Sequence, residues 1–181
     1  MVTGLDEVRR LAEAKRAENL DFRRYLCAHH YPIEPFQLLA AEIQKRFDCT
    51  QCANCCRYTA VDVSPAEIAA IACHLGESAG DIVHRHTAPD PADSTARILL
   101  NRHDACTFLH RNLCLIYDAR PAACRGFPHL SRGDHSLGAR LESLCRHAWF
   151  CPIVYNALES YKRLVGYHPG RRFRYNPALG L

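Results

Sequence analysis

No stretch of this chain approaches the ~20 consecutive apolar residues that cross a bilayer. Residues 1–24 are charged throughout and lack the apolar centre of a secretion signal. No membrane partner is expected, and the cytoplasm is the expected compartment. Glycine is sparse: the nine glycines include no Gly-x-Gly, so the dinucleotide-binding fingerprint is missing. A Gly-x-Ser-x-Gly elbow for a nucleophilic serine is missing too. Charge of one sign does not dominate; a formal +4 by itself gives no reason to expect nucleic acid, and no nucleic-acid-binding module is recognisable. There is no internal repeat and no low-complexity block.

Cysteine is what the chain has in quantity, with eleven among 181 residues. Cytosolic thiols are kept reduced, and an odd count does not close a disulfide framework. Metal ligation accounts for them better. Apolar content of 48% and charged content of 23% are those of a globular protein, and the length suits one domain with a helical appendage. Eight thiolates around two divalent ions would bring the formal +4 close to zero, so the basic residues offset a site as readily as they seek a partner.

Four cysteines form the run Cys49-x-x-Cys52-x-x-Cys55-Cys56. A thiol every third residue lets a short loop wrap one soft ion, and thiolates select zinc, Cu(I) or iron–sulfur centres. In an extended segment neighbouring side chains point to opposite faces. Read that way, Cys55 and Cys56 serve two adjoining metal positions.

The expected fold is α+β and mainly helical, with a small β-hairpin and irregular loops organised around the multi-cysteine site. Residues 1–47 read as an N-terminal helical segment, 48–166 as the metal-binding domain, and 167–181 as a basic, aromatic surface tail. In the first segment the helical register slips near Asn19-Leu20-Asp21, which leaves one bent helix or two. This segment is either docked by a narrow apolar stripe or a dimer arm. Tyr58 to Val63 alternates like a strand. Ser64-Pro65-Ala66-Glu67 is a capping box with proline at the first helical position, and Gly76 is the expected stop. Residues 137–150 and 152–164 read as two helices meeting near Cys151. Cys106 and Cys114 flank a hairpin centred on His110, which sets them opposite one another ~4.5–5.5 Å apart at Cβ. Two sulfurs on one tetrahedral zinc lie within ~4 Å, so that hairpin makes a chelating pair.

Cys49 to Arg57, Cys106-Thr107-Phe108-Leu109, and Cys114-Leu115-Ile116-Tyr117-Asp118-x-Arg120-Pro121-x-x-Cys124-Arg125-x-Phe127-Pro128 resemble the CxxCxxCC family, the YkgJ-like cysteine-cluster proteins described as zinc- or iron-chelating. The resemblance covers residues 47 to 152 and implies Cys151-Pro152 as the late Cys-Pro of that pattern. His129 departs from it, standing where an aromatic often follows Phe-Pro, and Cys145 competes with Cys151. Setting aside Cys27, Cys73 and Cys145, the first two as small packing residues, leaves Cys49, Cys52, Cys55, Cys56, Cys106, Cys114, Cys124 and Cys151. Eight thiols make two tetrahedral sets, one partition being the first three with Cys151 and the remainder together. Arg57, Arg120 and Arg125 flank ligand positions, where guanidinium groups offset thiolate charge. His103, His129 and His147 lie near ligands in sequence and are more often surface residues.

The metal is zinc or iron, the latter including a [4Fe–4S] cluster, since three close cysteines and a later Cys-Pro follow ferredoxin spacing. The first functional reading is a metal-binding protein in a redox, metal-handling or accessory role. A second is an enzyme or enzyme subunit, because the wider family extends to proteins related to lysine N-methylases. A third is a zinc-stabilised module that binds a protein through its N-terminal helices. No thioredoxin-like βαβ setting surrounds Cys49.

Overall fold

The computed structural model describes residues 1–131 and 135–170. In chain order it contains helices α1 (Leu5–Ala14), α2 (Arg16–His29) and α3 (Glu34–Gln44), then the four-residue turns α4 (Cys49–Cys52) and α5 (Cys55–Tyr58). Helices α6 (Pro65–Leu75) and α7 (Ala79–His86) lead into the short strands β1 (Thr87–Pro89), β2 (Arg97–Leu99), β3 (Asn101–Arg102), β4 (Ala105–Cys106), β5 (Leu109–His110) and β6 (Leu113–Cys114). Helices α8 (Ala122–Gly126), α9 (Leu137–Ala148) and α10 (Pro152–Leu164) close the described chain. This is the expected mainly helical α+β chain, its strands paired two by two and antiparallel. Among the described residues no helix is long and apolar enough to cross a membrane.

The chain divides into two compact units, one of Met1–Phe47 with Pro128–Leu181 and the other of Asp48–Phe127. By packing, α9 and α10 group with the N-terminal helices, α3 lying along α10 and α2 along α9. Phe22, Phe36, Leu141, Leu158 and Tyr161 are fully buried there, each such side chain contributing ~1.5–3 kcal/mol. The break between α1 and α2 falls at Lys15 (φ −94°, ψ 9°), four residues before the register slip seen in sequence. Lys162 is 4% exposed, and its Nζ lies 2.7 Å from both Glu18 and Glu159. Lys15 pairs with Glu159 as well. Tyr167, at the head of the expected tail, packs its ring 4.9 Å from that of Phe22; residues 171–181 of that tail lie outside the described residues.

In the second unit, Ser64 and Glu67 form the expected capping box, and Gly76 ends α6 in the left-handed region at φ 68°. Ser78 caps α7 by accepting from the Asp81 amide. The expected strand over Tyr58–Val63 reduces to one bridge, Asp62 with Ile98, because Tyr58 belongs to the helical turn α5. Nine buried apolar residues form the core, among them Val61, Ile71, Ile82, Phe108 and Ile116; Cys106, Cys114 and Cys124 pack against it half-buried.

Candidate metal centre

The first cysteine run is built from two helical turns around a left-handed hinge. Asp48 opens α4, its Oδ1 accepting from the Thr50 amide at 2.9 Å. Ala53 then takes φ 48°, a conformation that costs an L-residue roughly 1–2 kcal/mol, and it is held there by burial at 4% exposure. The helix breaks after Cys52 and restarts at Cys55. The expectation that Cys55 and Cys56 face apart is thereby corrected. Successive residues of a helical turn diverge by roughly 100° and not by a half-turn, and these two sulfurs lie 4.0 Å apart.

The single hairpin centred on His110 is also corrected. Two hairpins stand in series: β3 pairs with β4 so that Asn101 faces Cys106, and β5 pairs with β6 so that Leu109 faces Cys114. Each turns through two residues of positive φ, His103-Asp104 (50°, 59°) and Arg111-Asn112 (46°, 67°), the pattern that matches strand twist in a two-residue turn. Cys106 and Cys114 therefore occupy the same position in successive hairpins. The two hairpins repeat each other in structure, which sequence inspection passed over because the cysteine is the one residue that recurs at the same position between 101–108 and 109–116.

Each hairpin aims its thiol in the same way. The Phe108 amide hydrogen-bonds Cys106, and the Ile116 amide hydrogen-bonds Cys114. Phe108 and Ile116 are 2% and 1% exposed, so the donors are fixed by the core. Residue two after each cysteine thus packs and points at once.

The thiols share one electrostatic neighbourhood. The charge of Cys56 acts on Cys106, Cys114 and Cys124, that of Cys114 acts on Cys106 and Cys124, and that of Cys106 acts on Cys124; Cys49 feels Cys52 and Cys56. The Arg120 guanidinium acts on Cys49, Cys56, Cys114 and Cys124. It is held by the Tyr117 carbonyl at 2.8 Å and sits 3.6 Å above the Tyr117 ring. The Cys55 thiol, with Arg57 and Arg120, brings Cys56 down to about 7, while burial pushes Cys106 up to about 11 and Cys124 up to about 12. Arg57 reaches Asn112 Oδ1 at 2.7 Å, and Asn112 Nδ2 donates to the Gln51 carbonyl at 3.4 Å, which links both cysteine turns to the second hairpin. Arg125 donates to the Arg120 carbonyl and faces Glu67.

A soft ion fits this donor set in kind, since the neighbourhood is made of thiols with amide and guanidinium groups turned towards them. As placed, no three His, Cys, Asp or Glu side chains among the described residues stand close enough to hold an ion; the fit is one of chemistry and neighbourhood. Residues 48–152 match the model of a family described as a "putative zinc- or iron-chelating domain", and that match spans more than half of the chain. The chain belongs to the CxxCxxCC family. No curated protein matches it, and no solved structure does.

Within the CxxCxxCC match, Cys151 and Cys145 lie in the helical unit, Cys151 buried at the N-cap of α10 and Cys145 half-buried on α9. His129 and His147 belong to that unit also, whereas His103 is an exposed turn residue of the first hairpin. Cys27 and Cys73 are exposed, which overturns their reading as buried packing residues, although the Cys27 sulfur still lies against Gly138 of α9. None of the eleven cysteines is in a disulfide.

Sequence reasoning missed Asn112 as a link, and it missed a second role of Glu67. While one carboxylate oxygen caps Ser64, the other accepts from the Ala122 amide at 2.7 Å, tying the turn that carries Cys124 to α6. Glu67→Ala loses both caps, and we expect the unit to lose about 1–2 kcal/mol. Glu67→Gln keeps an acceptor and loses less. Hydrogen exchange in α6 and α8 measures both; equal protection in the two variants would contradict the shared-carboxylate arrangement.

Proposed function

We propose that this CxxCxxCC protein binds metal without catalysing a reaction on it. Cys56, Cys106, Cys114 and Cys124 form one thiolate set for zinc or iron, and Cys49, Cys52 and Cys55 contribute to a second, adjoining position. The observation that carries the reading is that Cys56 acts electrostatically on Cys106, Cys114 and Cys124, and that Cys106 and Cys114 are aimed by core-anchored amides. When bound, the ion supplies a cross-link between distant chain segments and a sink for thiolate charge. The chain's own residues do the rest. Amide donors from Phe108 and Ile116 orient two sulfurs, Arg120 offsets thiolate charge, and Arg57 with Asn112 holds the turns together. Because Cys106 and Cys124 are protonated thiols without metal, binding releases their protons. The four-thiolate shell of Cys56, Cys106, Cys114 and Cys124 leaves no coordination position for substrate at that ion, which favours an accessory or metal-handling role in a reducing compartment.

Anaerobic purification with elemental analysis and an absorption spectrum tests the reading. Colourless protein with stoichiometric zinc, or brown protein with iron and sulfide, fits it; protein without either metal sinks it. Cys56→Ser is expected to release about half of the bound metal, because its set loses one of four ligands while the other set keeps its own. Equal loss from both positions counts against the partition. The same measurement on Cys151→Ser asks whether that thiol belongs to the ligand set.

A further inference from the structure

The helical unit contains a cleft of about 490 Å³ lined by α1, α2 and α9, a size that suits a small organic ligand. Its walls combine Ala12, Leu20, Leu141 and Trp149 with the cations Arg16, Arg23 and Arg146. Glu13 and Glu142 line it too, and each is matched: Glu13 lies 4.0 Å from Arg16 and Glu142 lies 3.1 Å from Arg146. Arg23 forms no ion pair among the described residues, so one cation is left over at the cleft. Arg9 adds a further guanidinium 4.9 Å from the Trp149 ring centroid.

A second observation concerns a residue in the wall of the same cleft. Asn19 lines it and is 7% exposed, yet its buried Oδ1 has no hydrogen-bond partner. An orphaned buried acceptor costs about 1–3 kcal/mol, and buried polar atoms are nearly always paired. A donor on a bound molecule would satisfy it. The cleft thus offers an aromatic and aliphatic surface, one unpaired acceptor and one uncommitted cation.

We propose that this cleft binds a small organic anion whose flat, apolar body carries an N–H donor. The ring lies against Trp149 and Leu141, the N–H reaches Asn19 Oδ1, and the anionic group meets Arg23. Cys145, the competitor of Cys151, is the one cysteine that lines the cleft, and none of the eight proposed metal ligands does, so the site is tested separately from the thiol cluster.

Trp149 is the sole tryptophan, so the full-length protein shows one indole N–H signal in a ¹⁵N-resolved NMR spectrum. We expect 4-aminobenzoate and AMP, two probes with ring, N–H and anion, to shift that signal saturably. Aniline and adenosine, which lack the anion, should bind about tenfold more weakly or less, as loss of one charge-assisted contact implies. Arg23→Gln, a surface change that leaves packing untouched, should weaken both anionic probes by about tenfold. Asn19→Leu should weaken them similarly while removing the orphaned acceptor. The proposal is overturned if neither anionic probe gives a saturable shift at millimolar concentration. It is equally overturned if Arg23→Gln leaves both affinities unchanged.

Discussion

Removing metal from the loaded protein is expected to unfold the Asp48–Phe127 unit. Its core is a cluster of nine apolar residues, its strands are two or three residues long, and isolated two-stranded hairpins are marginal in water. Domains of this size commonly need a staple. Structural zinc supplies an apparent ~10–16 kcal/mol to small folds, as much as the whole stability of a typical domain. Amide hydrogen exchange with and without a strong chelator measures it. Peptides covering both hairpins and α8 should lose their protection on chelation and regain it when metal returns. Unchanged protection in the hairpins after complete metal removal, verified by elemental analysis, would falsify the stabilising role.

Truncating Lys162 is the second large effect expected, and it falls on the helical unit. The ammonium is 4% exposed and lies 2.7 Å from each of two carboxylates, Glu18 and Glu159. Replacing it by alanine leaves both acids half-buried, with Lys15 as the remaining cation for Glu159. Breaking a buried pair in this way costs about 3–5 kcal/mol, whereas neutralising the whole group is far milder. Lys162→Ala should therefore speed exchange throughout α10 and α2, and adding Glu18→Gln with Glu159→Gln should restore much of the protection. A loss below about 1 kcal/mol in the single variant would show the group to be solvent-screened.

The same group sets a pH dependence. Burial alone would raise the Glu159 carboxyl, but hydrogen bonds and charge from Lys15 and Lys162 hold it below its ordinary 4.5. A carboxyl lowered in the folded state stabilises above its unfolded value, and that contribution is lost as pH falls through the folded value. Thermal midpoints of the helical unit should fall on acidification below about pH 4.5, and Glu159→Gln should flatten the fall.

Much of the candidate site was legible because cysteine is chemically unambiguous. Thiols at Cys49, Cys52, Cys55 and Cys56, with Cys106, Cys114 and Cys124 further on, announce a soft ion whatever the fold. The capping box at Ser64 and the stop at Gly76 were legible for a different reason: each is satisfied within one helical turn. The pairing of Cys106 was not. Two serial hairpins and one long hairpin use nearly the same residues, and the choice falls to left-handed backbone at His103-Asp104, where neither residue is glycine. Helical placement of Cys55-Cys56 likewise depends on the hinge at Ala53, whose positive φ is held by burial and not by its own preference.

Residue chemistry and local spacing fixed the mainly helical α+β class, the helix ends and the kind of ion that eleven thiols attract, since these rest on interactions a few residues long. Tertiary structure alone decided that Phe108 and Ile116 direct the two hairpin sulfurs, that Glu67 serves two helices, and that Asn19, in the wall of a cleft, keeps a buried oxygen without a partner. Each of those outcomes depends on which distant side chains are buried together. Burial is a property of the packed chain, and no window of sequence carries it.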